Sequence, residues 1–253
     1  LLSMTITFWH PPAIAALSAR YADRRGFAIA MHGMGGNIGE AVGPILTGFL
    51  IGFMLWRDVL KLSFIPALVI GVGIYVLLRT IPSRSGSTSG REYFGGVKAA
   101  LRNKNLLLVL TATAFFSGSQ IAIMSFLPIY AREDLALSTV ATGALVSLLQ
   151  VAGIASSPVL GHFSDQLGRR VVLLLGFGGL ALGSLMLFLT GNTPLFYLAI
   201  AVTGLFLYPM MSILLAAAMD VVGDGVQGTT VSLVFGVSII LAAGSGWLAG
   251  RIA

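Results

Sequence analysis

The chain has 253 residues, 57% of them hydrophobic and only 9% charged, with a net charge of +6 and a mean hydropathy of +0.95. A soluble domain carries about 25% charged residues, so an ordinary water-facing surface is excluded. The basic residues are scattered among connections rather than gathered on one face, which excludes a nucleic-acid-binding surface, and the lack of cysteine excludes disulfides and thiolate metal sites.

Continuous apolar runs repeatedly reach the ~20 residues needed to cross a hydrocarbon core. They are not alternating, as a β-barrel requires, so the expected fold is all-α, a polytopic transmembrane helical bundle. In chain order the expected spans are 1–19, which is partial and interrupted by His10-Pro11-Pro12, then 26–54, 59–80, 105–131, 138–160, 171–190, 194–219 and 227–251. The chain begins with Leu1 inside an apolar run that has no charged leader and stops at "GWLAGRIA". It therefore reads as an internal piece of a longer protein. Glycine within the spans suits close helix packing in lipid.

Eleven of the fifteen Lys and Arg residues fall in or beside three connections: 20–25, 81–104 and 161–170. The positive-inside bias makes these three cytoplasmic. Within the second, residues 82–91 have the Ser/Gly composition of a flexible linker. Residues 93–104 are expected either as a basic amphipathic helix on the membrane surface or as plain linker. A faint repeat also runs through the chain. Asp23 follows Pro12 by eleven positions, Asp220 follows Pro209 by eleven, and a Gly-rich span comes after each. The offset of about 200 residues is the size of a six-helix half in transporters built from parallel repeats.

The densest polar stretch is "GHFSDQLGRR" at 161–170. Glycine suits a tight turn between spans, and arginines anchor a loop on the cytoplasmic side. Asp adds nothing to orientation, but a carboxylate can cap a neighbouring helix N-terminus, where free N–H groups and the dipole favour negative charge. Gly161, Asp165, Gly168, Arg169 and Arg170 together resemble motif A of the major facilitator superfamily, with Gln166 where the family usually has Arg. "GEAVGPILTG" at 39–48 resembles motif C, the fifth-helix signature of the family's proton-coupled exporters, through Gly39, Gly43, Pro44 and Gly48. Thr47 and Ala30 stand where glycine is usual. Gly35, Gly39 and Gly43 also make a small-residue stripe fit for backbone contact between helices. "FWHPPAIAALSARYADRRGFAIAMHGMGGNIGEAVGP" is similar to the fosmidomycin-resistance branch, and "FLPIYARED" to the end of a seventh helix.

The resemblance implies helices 4 to 11 of such a transporter in the bacterial inner membrane. Residues 1–80 would close the N-terminal half as helices 4–6, 81–104 would be the central cytoplasmic loop, and 105–253 would form helices 7–11 of the C-terminal half. It also implies that Asp165 faces the N-terminus of helix 5, with Arg24 and Arg25 as latch partners.

Glu40 is the only carboxylate well inside a span, about 21 Å up its helix from Gly26. A charge at that depth usually faces a cavity or a partner, so Glu40 is either a proton-coupling group or a buried structural one. His10 lies near the midplane, where an imidazole titrates usefully, although it is equally suited to bonding carbonyls freed by the prolines. His32 reads as packing or interfacial. Asn37, Gln120 and Gln150 are cavity candidates that also serve as inter-helix hydrogen-bonding groups. His10, His32 and Glu40 lack metal-site spacing.

The expectation is a monomeric secondary transporter with no cofactor and no catalysis, exporting a small molecule against proton entry. An uptake symporter and a non-transporting scaffold or receptor remain as alternatives. A membrane enzyme has no supporting motif.

Overall fold

The computed structural model describes residues 2–79, 90–191, 193–222 and 226–252. Among these, every element is helical: α1 (Leu2–Arg20), α2 (Arg25–Ile51), α3 (Trp56–Leu78), α4 (Gly90–Ala100), α5 (Lys104–Glu133), α6 (Thr139–Leu167), α7 (Arg169–Thr190), α8 (Leu195–Asp220) and α9 (Gln227–Ile252), with a 3₁₀ turn at Ala22–Arg24. All eight expected spans therefore appear as helices. Five of them, α3 and α5 to α8, are long and apolar enough to cross a membrane, and the chain is an integral membrane protein. Short connections make successive helices antiparallel. The ends of α1, α6 and α8 and the starts of α2 and α7 therefore gather at one edge, called the charged end below.

The short helix expected over 93–104 forms as α4, beginning earlier, and the linker at 82–91 lies largely outside the described residues. The connection expected at 161–170 is not a loop. Residues 161–167 continue α6, α7 starts at Arg169, and the turn is Gly168 alone. Gly168 has φ +89°, a left-handed conformation that glycine adopts without Cβ strain. With 29 residues, α6 is about 43 Å long, so its last turns project past a ~30 Å hydrocarbon core. That projection carries Ser164 and Asp165.

The core centres on α8. From Leu207 to Met219 only Met211 is not fully buried. Its neighbours approach through small residues: a Cβ on Gly183 would lie 3.1 Å from the Thr203 backbone, and one on Gly204 would run into the Leu149 backbone of α6. Pro209 sits inside α8 and has no N–H for the carbonyl of Leu205, four residues back. Ser156 of α6 supplies the missing donor, its hydroxyl bonding that carbonyl at 2.6 Å. The helix break is thus satisfied from a neighbour, as membrane burial requires. A second join is Asn103. Its side-chain oxygen caps α5 by accepting from the amides of Asn105 and Leu106, at 3.0 and 3.3 Å. Its amide nitrogen donates to the Val221 carbonyl at the end of α8, at 2.7 Å.

Candidate functional site

At the charged end, Asp165 caps α2. Its two carboxylate oxygens accept from the amides of Gly26 and Phe27, each at 2.8 Å. These amides belong to the first turn of α2, where no intrahelical acceptor exists and the helix dipole favours an anion. Residues 139 and 138 positions apart are joined by these two bonds. The approach is close because both helices carry glycine: a Cβ on Gly26 would stand 2.8 Å from the Asp165 carboxylate and 2.9 Å from the Gly161 carbonyl, and one on Gly161 would stand 2.7 Å from the Ala30 Cβ.

Arg169 secures the cap from behind. Its Nη1 donates to Asp165 at 2.6 Å and to the Ser164 hydroxyl at 2.9 Å, while its Nε donates to Asp220 at 2.7 Å. Asp220 also accepts from Arg25 Nη1. The cluster runs without a gap from α2 through Asp220 of α8 and Arg169 of α7 to Asp165 of α6. Asp165 is 7% exposed and Asp220 33%, so the ion pairs at Asp220 are the more weakened by solvent.

The expected contacts are only partly those found. The α2 amides do meet Asp165. Arg25 turns instead to Asp220, because Arg169 of the neighbouring helix already occupies the outer side of Asp165. Arg24 is exposed and has no bond to Asp165 among the described residues. Arg170 is exposed as well. Asp220 was not among the expected site residues. The signal for it was the spacing it shares with Asp23, eleven residues after a proline.

The glycines of α2 are used differently from the expected stripe. Around Gly35, Gly39 and Gly43, a Cβ would meet nothing within 4 Å. The close contacts are at Gly26 and at Gly33, where a Cβ would lie 2.8 Å from the Ser212 hydroxyl of α8. Residues seven apart share a helix face, since 3.6 residues make a turn, whereas Gly35 is two positions and about 200° away from Gly33. Gly26, Gly33 and Glu40 therefore form one face, directed at α6 and α8. The side chain of Pro44 and the surroundings of Gly48 fall outside what the structure describes.

Past Gly33 this face opens. Glu40 is exposed, about 10 Å beyond Gly33 along the axis. Across from it on α8, one turn beyond Ser212, stands Tyr208. The Tyr208 hydroxyl contacts Met124 Sδ at 3.6 Å, its side chain is hydrogen-bonded with Gln150 of α6, and it lies within range of the Glu40 charge. A Cβ on Gly153 would lie 2.6 Å from the Tyr208 Cβ, so glycine there lets the ring lie flat on α6. Tyr208 is a site residue that the sequence reading missed. A tyrosine in an apolar run looks like core until its partners are known. Asn37 and Gln120 are half-buried and have no hydrogen bond to this group among the described residues. His10 is not beside Glu40. It meets His32, with ring centroids 5.8 Å apart. Among the described residues no group of three or more His, Cys, Asp or Glu could hold a metal ion.

Two helices locked together at one end by a capped carboxylate, and parting toward a polar group deeper in the membrane, make a wedge-shaped arrangement. Comparison with known proteins agrees with the sequence resemblance. The model of the Major Facilitator Superfamily matches residues 1–251. A "Putative proline/betaine transporter" of Staphylococcus haemolyticus is 24% identical over 56% of this chain and 31% of its own length. The class D tetracycline resistance protein of Salmonella ordonez is 35% identical over 41% of this chain and 27% of its own. The multidrug resistance protein MdtG of Escherichia coli is 31% identical over 60% and 38%. The chain thus spans roughly a third of the length of these relatives. The match across nearly all of its residues establishes that this chain belongs to the major facilitator superfamily.

Proposed function

We propose that this chain is the central part of a secondary transporter that exports a small molecule in exchange for protons, working by alternating access. Residues 1–80 would belong to one half of the transporter and 105–253 to the other, with 81–104 as the connection between them. The observation that carries this reading is the single face of α2. Gly26 is held by Asp165 at the charged end, and Glu40, on the same face, stands open toward Tyr208 and Gln150. A carboxyl at membrane depth facing a cavity is costly unless it has work to do, and proton exchange with a substrate is such work. The cap at the charged end fits a cytoplasmic latch that holds the halves together in one state and parts in the other. Two of the relatives described above are named for resistance to drugs, which supports export. The motif C glycines, facing open space here, are available to a neighbouring helix that this chain does not contain.

One observation favours a second reading. Relatives named for proline and betaine support transport of a small zwitterion, in which case the direction could be uptake. The test is transport by the full-length protein in everted vesicles. Substrate accumulation that starts with an imposed proton gradient and collapses on adding a protonophore supports export by exchange. Accumulation in right-side-out vesicles under the same gradient supports uptake instead, and no proton dependence in either refutes the coupling.

A further inference from the structure

The hairpin of α1 and α2 brings together two histidines that lie 22 positions apart in the sequence. The His10 and His32 rings meet edge to face, at 5.8 Å and 78°. Phe235 of α9 completes the group, its centroid 5.4 Å from that of His10 at 67°. His10 and His32 are both half-buried, and Phe235 is packed against the buried cluster of Ile14, Ile29 and Val231. By helix rise the three residues lie at similar depth, about 15, 10 and 12 Å from the charged end.

We propose that His10 and His32 form one proton-binding site, separate from Glu40, whose occupancy tightens the contact between the α1–α2 hairpin and α9. Two imidazoles this close act as a coupled pair. The first proton is taken by either ring, and the second is disfavoured by the charge of the first. The charged pair then sits within the ~6 Å at which a cation is attracted to an aromatic ring. No chemical bond changes; a proton moves from water to an imidazole nitrogen. The other charged and titratable groups around the pair are named by element. α1 carries Arg20, α2 carries Arg25 and Glu40, and α9 carries Arg251 at its far end. α8 carries Asp220 and Tyr208, and α6 carries His162 and Asp165. On α1 and α2 the nearest of them along the axis is Arg25, seven residues or about 10 Å from His32. Glu40 is about 12 Å from His32 in the other direction. The sign follows from Phe235. Its ring faces the pair only while α9 is docked, so the docked state binds the proton more tightly. Acid therefore favours docking, and docking weakens as pH rises through the imidazole range of about 5 to 8.

This inference rests on the two-state transporter reading but not on Glu40 as the coupling group. The test uses the full-length protein in liposomes, with spin labels on Ala22→Cys and Gln166→Cys, two exposed positions at the charged end. The closed-to-open ratio from the distance distribution is expected to rise roughly two- to thirtyfold between about pH 8.5 and pH 5.5. His10→Gln, His32→Gln and Phe235→Leu should each flatten the change, and Phe235→Tyr should keep it. A closed-state distance peak present in every variant shows that each is folded. If both histidine variants keep the wild-type pH change, the site does not exist. Glu40→Gln separates the two ideas. If it removes the conformational pH change while the histidine variants retain it, the histidine site fails and the Glu40 reading stands. If it keeps both that change and pH-dependent transport while the histidine variants are flat, the histidine site stands and Glu40 is not the coupling group.

Discussion

Asp165 and Gly26 are joined through a 2.8 Å hydrogen bond from the Gly26 amide to the Asp165 carboxylate, although 139 positions separate them in the chain. The neighbouring amide of Phe27 makes the same bond to the second oxygen. A charged cap at a wet membrane edge contributes about 1–2 kcal/mol, enough to bias a two-state equilibrium several-fold without locking it. Asp165→Asn retains one acceptor oxygen but loses the charge. It should shift the full-length protein toward the form open at this end and slow turnover, with expression unchanged. Cysteine accessibility of residues in the first turn of α2 measures the shift. Wild-type accessibility in the variant would reduce the cap to a structural contact.

Asp220 holds two arginines, Arg25 and Arg169, but is a third exposed. Solvent weakens such pairs, so Asp220→Asn should disturb the equilibrium less than Asp165→Asn does. In the same accessibility measurement, an effect of Asp220→Asn equal to or larger than that of Asp165→Asn would show that the arginines, rather than the helix cap, hold this end together.

The glycines of α2 divide into two sets. Gly26→Ala places a Cβ 2.8 Å from the Asp165 carboxylate and 2.9 Å from a backbone carbonyl, and backbone cannot step aside cheaply. That variant should lose most transport. Gly39→Ala meets nothing within 4 Å and should leave the docking of α2 on α6 and α8 unchanged. Crosslinking between cysteines placed at Phe27 and His162, whose rings lie 6.4 Å apart, reads the docking directly. Normal crosslinking in Gly26→Ala would contradict the close approach.

Ser156 donates to the carbonyl that Pro209 leaves free. Ser156→Ala should lower stability by about 0.6–1.7 kcal/mol, the range of inter-helix hydrogen bonds in membranes. With Pro209→Ala in place, Leu205 regains a partner in its own helix, and the serine substitution should then cost less. Thermal unfolding of the four proteins of this cycle in detergent gives the coupling. Strictly additive losses would mean that the two residues act separately.

The helices were legible because each apolar run matches a membrane thickness, and the main error at a boundary came where a helix runs beyond the membrane. Residues 161–167 look like a loop because they are polar, yet they extend α6 into water. The cap by Asp165 was legible because an acid gains nothing from topology and needs a donor. The pairing of Arg25 with Asp220 spans 195 positions and leaves no local trace beyond the faint proline-to-aspartate repeat. Four-residue spacing drew attention to Gly35, Gly39 and Gly43, whereas the contact follows the seven-residue spacing of Gly26, Gly33 and Glu40. His32 looked like packing because only the fold of the hairpin brings it to His10.

The central claim is that Glu40 couples substrate movement to protons. The most direct measurement is substrate-driven proton release in proteoliposomes of the full-length protein, for wild type and Glu40→Gln, across about pH 6 to 9. The account predicts that wild-type transport moves protons and varies with pH, while Glu40→Gln, correctly inserted and still binding substrate, moves none and shows a flat profile. Proton movement and pH dependence equal to wild type in Glu40→Gln would contradict it.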